Sequence, residues 1–248
     1  MAVAFLVIVG SLLLVVSGFT WVARRDVLDR ARDIEGLTLL SLDQVKEPRL
    51  TAVRGSAVAA EPLVDPVTDR PAAYYEARLV RTAPSEKVLK VLRGGDVVTL
   101  EVGARQAEVR VTGAELDLPW EEREVSEHEP TPLLRRLLEE SGVPVPAADR
   151  AARYAILHRA IRPGDVLTIV GTPRFGARAA AGAGYRGGPA PTPRFEADGA
   201  TLLVTTQDLS AVKERERADV RAMGLMLRLA ALLGAILVAV GAVLVALS

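Results

Sequence analysis

Two uninterrupted apolar runs, one near each end of the chain, limit what it can fold into more than any other feature. No ionisable side chain occurs from Ala2 to Ala23, and none from Leu229 to Leu247. Each run supplies the ~20 apolar residues that a helix needs to cross a bilayer core of ~30 Å. A helix packed on a soluble core keeps a polar stripe, and these runs have none. A cleavable signal peptide is the rival reading of the first run. It fits less well, because no Lys or Arg precedes the run and the exit, Gly18-Phe19-Thr20-Trp21-Val22-Ala23-Arg24-Arg25, lacks an Ala-x-Ala-like site. Trp21 suits the interface, Arg24 and Arg25 act as a stop, and Arg228 can snorkel ahead of the second run. The expectation is a two-pass integral protein of the cell membrane.

Basic residues flank the inner ends of both runs: Arg24, Arg25, Arg30 and Arg32 after the first, Arg215, Arg217, Arg221 and Arg228 before the second. The positive-inside rule then puts the central segment on the cytoplasmic side. Between Arg24 and Glu35, Val27, Leu28, Ala31 and Ile34 recur at helical spacing up to a stop at Gly36, which predicts an amphipathic juxtamembrane helix and linker over 24–41. A second charged helix is expected to continue into the last span, over 211–247.

The middle is balanced in charge, 31 basic against 31 acidic residues, so no global field draws in nucleic acid. With no cysteine in the sequence, disulfides, thiolate nucleophiles and Cys-containing zinc sites are excluded. From Leu50 onward, short β-branched runs alternate with Gly, Pro and Asp. Strands are expected over 50–60, 72–81, 87–92, 96–102, 108–112, 154–161, 165–171 and 201–206, with Phe195 leading into the last. Turns are expected at Gly94-Gly95, at Gly103 and at Arg162-Pro163-Gly164-Asp165. Pro62, Pro66 and Pro71 should keep 61–71 out of any ladder. The short connections predict an antiparallel meander. Leu133-Leu134 and Leu137-Leu138 predict a helical lid within 119–150, and 176–193, rich in Gly, Ala and Pro, reads as a disordered loop.

No sequence pattern assembles a reactive centre. Glu121, Glu122, Glu124, Glu127 and Glu129 with His128 have no spacing that fixes metal ligands, so a solvated acidic loop is the plainer reading. His128 and His158 are accompanied by no nucleophile elbow or zinc-binding His pair. Tyr74 and Tyr75 suit core packing or stacking on a ligand. No catalytic, cofactor-binding or metal-binding residue is assigned.

The segments EPLVDPVTDRPAAYYEARL, Y-x-x-x-H-x-x-I-R-P-G-D-V-L-T-I-V-G and F-x-A-D-G-A-T-L-L-V-T-T, followed by an apolar run, resemble the GIDE or beside-a-membrane (BAM) domain. That domain lies between two membrane helices in the mitochondrial ubiquitin ligase activator and its shorter prokaryotic relatives. The resemblance covers about Leu42 to Val220, with the β domain itself over 42–210. It departs at His158, where the pattern has an acidic residue, and at the blurred hairpin Val102-Gly103-Ala104-Arg105. The family's ubiquitin transfer needs a RING with Cys ligands for zinc, which this sequence does not contain.

The resemblance implies an α+β protein: a mostly antiparallel, OB-like barrel inserted between a transmembrane helix at 2–23 and a charged helix that continues, over 211–247, into a second transmembrane helix. It implies a non-catalytic interaction domain whose partners are the bilayer and one or more proteins, with oligomers possible and no nucleic acid or cofactor. The partner-binding surface expected from it is Pro62, Leu63, Pro66, Tyr74 and Tyr75. Pro163, Gly164, Asp165 and Gly171 are expected to form a structural turn. Two further readings compete: an accessory similar to NfeD-type OB proteins, and a membrane hydrolase using His158.

Overall fold

The computed structural model describes residues 27–59, 61–83, 86–124, 153–175, 192–197 and 201–246, together with 11, 15, 25 and 139. The chain divides into two compact units, Met1–Leu37 with Leu209–Ser248, and Thr38–Asp208.

In the first unit, α1 (27–35) ends at Gly36, whose N–H closes the last turn on the Arg32 carbonyl at 3.2 Å. A single helix, α2 (Leu209–Ala246), carries the charged segment and the second apolar run without interruption. It is long and apolar enough to cross a membrane, and Leu229, Leu232, Leu233, Ile236, Val240 and Val243 are exposed along it. The first apolar run lies outside the described residues, apart from helical Ser11 and Val15. Lys213 Nζ donates to the carbonyls of Glu35 and Leu37 at 2.8 and 2.7 Å, satisfying acceptors that the end of α1 leaves open. Arg217 forks onto both Glu35 oxygens, and Arg30 meets Glu216 at 3.0 Å.

The second unit is built from strands. They are β1 (Thr51–Val58), β2 (Leu63–Asp65), β3 (Arg70–Ala72), β4 (Tyr74–Ala83), β5 (Lys87–Gly94), β6 (Val97–Val102), β7 (Arg105–Arg110) and β8 (Glu115–Asp117). After them come β9 (Glu121–Glu124), β10 (Arg153–Ile161), β11 (Val166–Gly171), β12 (Pro173–Phe175), β13 (Pro193–Phe195) and β14 (Leu203–Thr205). Eight pair in the order β12-β13-β7-β6-β1-β11-β14-β8, four in the order β5-β4-β10-β9, and β2 with β3 alone. The main core gathers Val53, Leu100, Val109, Leu167, Ile169 and Phe195 from the large sheet with Tyr74 and Ile161 from the ends of β4 and β10.

Three expectations are corrected. Among the described residues the sheets do not close into an OB-like barrel: the outer strands, β12 and β8 of the large sheet and β5 and β9 of the small one, each pair on one edge alone. The meander is broken by two parallel pairings, β13 with β7 and β14 with β8. Short connections rule out parallel neighbours only between successive strands, and these partners are far apart in sequence. Finally, the 61–71 segment is not excluded from a ladder, since Val64 pairs with Pro71 in the β2–β3 ribbon. Both strands of an isolated ribbon are edges, where a proline is tolerated.

The acidic segment contributes β9, which pairs with β10, while His128 and the expected lid helix, apart from helical Glu139, lie outside the described residues. Of the expected loop 176–193, Pro193 opens β13 and residues 176–191 lie outside them.

Candidate functional site

Strands β4 and β10 form a platform whose alternating side chains build a different structure on each face. Directly opposed residues share a face, and the register pairs His158 with Ala77, and Arg159 with Glu76.

On the first face lies the β2–β3 hairpin. Asp65 starts its loop and is followed by Pro66, an order that favours a turn because Asp bonds its own backbone and Pro fixes φ. Asp65 Oδ1 accepts from the Val67 N–H at 3.0 Å, Asp65 Oδ2 accepts from the Thr68 hydroxyl, and the Asp65 carbonyl accepts from the Asp69 N–H at 2.8 Å. Asp69 closes the loop at φ 57°, a conformation that Asp tolerates. Val67 packs against Ala77, Leu79 and Ile156.

The same carboxylate reaches His158. Oδ2 lies 2.9 Å from Nε2, and both side chains are 1% exposed. The contact lies off the line of a straight N–H donation. Nδ1 faces Glu121 Oε2 at 4.0 Å, and Glu121 Oε1 faces Arg162 Nη2 at 3.7 Å. The imidazole therefore sits between two carboxylates. A hydroxyl is also present, but Thr68 meets the acid and not the imidazole. Nucleophilic catalysis needs the order hydroxyl, base, acid, and here the acid is in the middle. An open cleft of about 310 Å³ is lined by Glu121, Arg159, Arg162 and Asp165 among others, and His158 is not part of its wall.

On the opposite face, Glu76 is 1% exposed and carries a saturated carboxylate. Oε1 accepts from Arg78 Nε and Nη2 at 3.0 and 2.9 Å and from Arg93 Nη2 at 3.2 Å. Oε2 accepts from Arg159 Nε and Nη2 at 3.0 and 2.5 Å and from the Tyr74 hydroxyl at 3.3 Å. Burial on its own would raise the Glu76 pKa, but the hydrogen bonds and charges of Arg159 and Arg78 outweigh it and hold it at about 2. Burial, helped by the Glu76 charge, pushes Tyr74 up to about 12. Arg78 and Arg159 stack on the Trp120 ring, 4.6 and 4.3 Å from its centroid.

The expected recognition residues separate. Pro62 and Leu63 are exposed and Pro66 is half-buried at the hairpin, with Val64 beside them at 64% exposure. Tyr74 does not belong to that surface: it is 4% exposed in the main core, because its strand position faces inward beside Ile161. Tyr75 is half-buried and opposes Gly94, where any added Cβ would overlap its ring. The turn at 162–165 is tied down at four points. Arg162 N–H donates to Asp165 Oδ2 at 2.7 Å, Asp165 N–H donates to the Arg162 carbonyl at 3.0 Å, and two bonds of 2.8 Å link Gly164 and Asp165 to Ala57. Gly164 adopts φ 92°, which disfavours a side chain. Gly171 ends β11 opposite Thr51.

Sequence reading missed Asp65, Glu76 and the three arginines. Asp65 carried a signal in Asp-Pro-x-Thr, a turn start; Glu76 carried none, because an alternating strand with Glu and Arg on one face reads as a solvated surface. Comparison of the chain with protein-family models, with curated proteins and with solved structures gives no match in any of the three.

Proposed function

We propose that the chain is a membrane-anchored interaction domain of the beside-a-membrane type, with the β2–β3 hairpin as its recognition element and the strand-rich unit on the cytoplasmic side. The observation that carries this reading is the exposed apolar pair Leu63 and Val64, at 39% and 64%, on a ribbon fixed from beneath by the buried Asp65 and His158. A pre-ordered apolar element loses little conformational entropy on binding. Anchorage by α2 raises its effective concentration toward other membrane proteins. The partner class is a membrane protein with an apolar groove.

A photo-crosslinking residue placed at Val64 in native membranes tests this against one placed at Val97, which is also exposed at 45%. Discrete adducts from position 64 that vanish with Leu63→Ser are expected. No adduct, or the same adducts from both positions, would remove the hairpin as a recognition element.

A further inference from the structure

The arginine cluster on the other face of the platform has no part in the hairpin reading, and its charge does not balance. Arg93, Glu76 and Arg159 stand in one row across β5, β4 and β10, with Arg78 one step along. Opposed residues in such a row hold their Cβ atoms roughly 5 Å apart, so the sheet itself gathers the guanidinium groups. Three cations share one buried carboxylate, leaving an excess of two positive charges in a chain whose formal net charge is zero. Glu122, the acid on this face of β9 that stands in the row of Arg78, is two strands away from it, past Leu157.

The three arginines are not equivalent. Arg159 is 11% exposed and uses its remaining nitrogen on the Leu116 carbonyl at 2.6 Å. Arg93 is 63% exposed and gives only Nη2 to Glu76, and Arg78, at 34%, keeps Nη1 unbonded among the described residues. Glu76 and the 38% exposed Trp120 ring thus orient guanidinium groups whose outer N–H groups still point to solvent. Pre-oriented guanidinium forks match a tetrahedral oxyanion and pair with it through several charge-assisted bonds.

We propose that Arg93 and Arg78, oriented by Glu76 and Trp120, form a binding site for a doubly charged phosphate group. The dianion cancels the two outstanding charges. The group is either free phosphate or the phosphomonoester head of a lipid.

Trp120 reports on occupancy, since neutralising Arg78, which stacks on its ring, changes its emission. The full chain carrying Trp21→Phe, in phosphatidylcholine nanodiscs, is titrated with sodium phosphate and with succinate at matched ionic strength. A second arm adds phosphatidic acid to the nanodiscs and no free phosphate. A saturable response to phosphate assigns the free ion, and a response only in the second arm assigns the lipid. Either supports the site, provided Arg93→Gln weakens it about tenfold or more and Arg93→Lys by less. Arg93 is largely exposed, and an unchanged thermal transition verifies that the variants fold. No saturable response in either arm, an equal response to succinate, or a response untouched by both Arg93→Gln and Arg78→Gln would overturn the proposal.

Discussion

The Asp65 carboxylate meets the His158 imidazole at 2.9 Å inside the protein, and with Val67 packed on Ala77, Leu79 and Ile156 it seats the β2–β3 ribbon on the inner strands of the four-stranded sheet. Asp65 also accepts from Val67 and Thr68, so a single side chain both shapes the hairpin loop and docks it. A residue that the sequence offers as a turn former is thus the anchor of the exposed Leu63 and Val64.

Asp65→Ala is expected to cost about 2–3 kcal/mol, because it removes the carboxylate beside the buried imidazole and the acceptor of the Thr68 hydroxyl. Asp65→Asn keeps the acceptor oxygen and should cost less. Chemical denaturation measures both, and limited proteolysis of 61–72 should be accelerated more in the Ala variant.

The Glu76 carboxyl, held at about 2 against an ordinary value of 4.5, makes the fold sensitive to acid. Its pKa is depressed in the folded state, so its contribution is complete above about pH 4.5 and is lost as pH falls toward 2. The amount is on the order of 3 kcal/mol. Thermal unfolding from pH 7 to 2 should show Glu76→Gln well below wild type at neutrality, with the gap closing in acid. A gap independent of pH would mean that the carboxylate charge is not what stabilises the site.

Gly94 and Tyr75 form a cross-strand pair in which one residue lacks the side chain that the other occupies. Gly94→Ala should destabilise by about 1–3 kcal/mol through displacement of the ring. The same change in a Tyr75→Ala background should cost distinctly less, a coupling read from a double-mutant cycle of unfolding free energies.

A sequence without cysteine is a clean background for mapping topology. Under the proposed orientation, Ser248→Cys reacts with an impermeant maleimide on intact cells, whereas Val64→Cys, at an exposed site, reacts only after permeabilisation. The reverse pattern would place the strand-rich unit outside.

Much of the architecture was legible because it rests on local rules. Apolar length identified α2 as a helix able to span a bilayer, alternation located most of the longer strands to within a few residues, and Pro163-Gly164-Asp165 marked a turn. What failed needed partners distant in sequence. Pro71 read as a ladder breaker because nothing local says that its strand is an edge, and Tyr74 read as a recognition residue because burial depends on what the other sheet supplies.

The sequence alone determined that the chain carries apolar segments of membrane-spanning length, a strand-rich middle and no thiol chemistry, since each follows from composition and short-range periodicity. Only the tertiary structure decided which charges lie inside. Whether Glu76 is a surface carboxylate or the buried centre of three arginines depends on the registers of β4 with β5 and β10. Whether His158 is a free base or a hairpin anchor depends on where Asp65 is folded back. Strand register and loop docking are set by the summed packing of many residues, and no local run of sequence contains that sum.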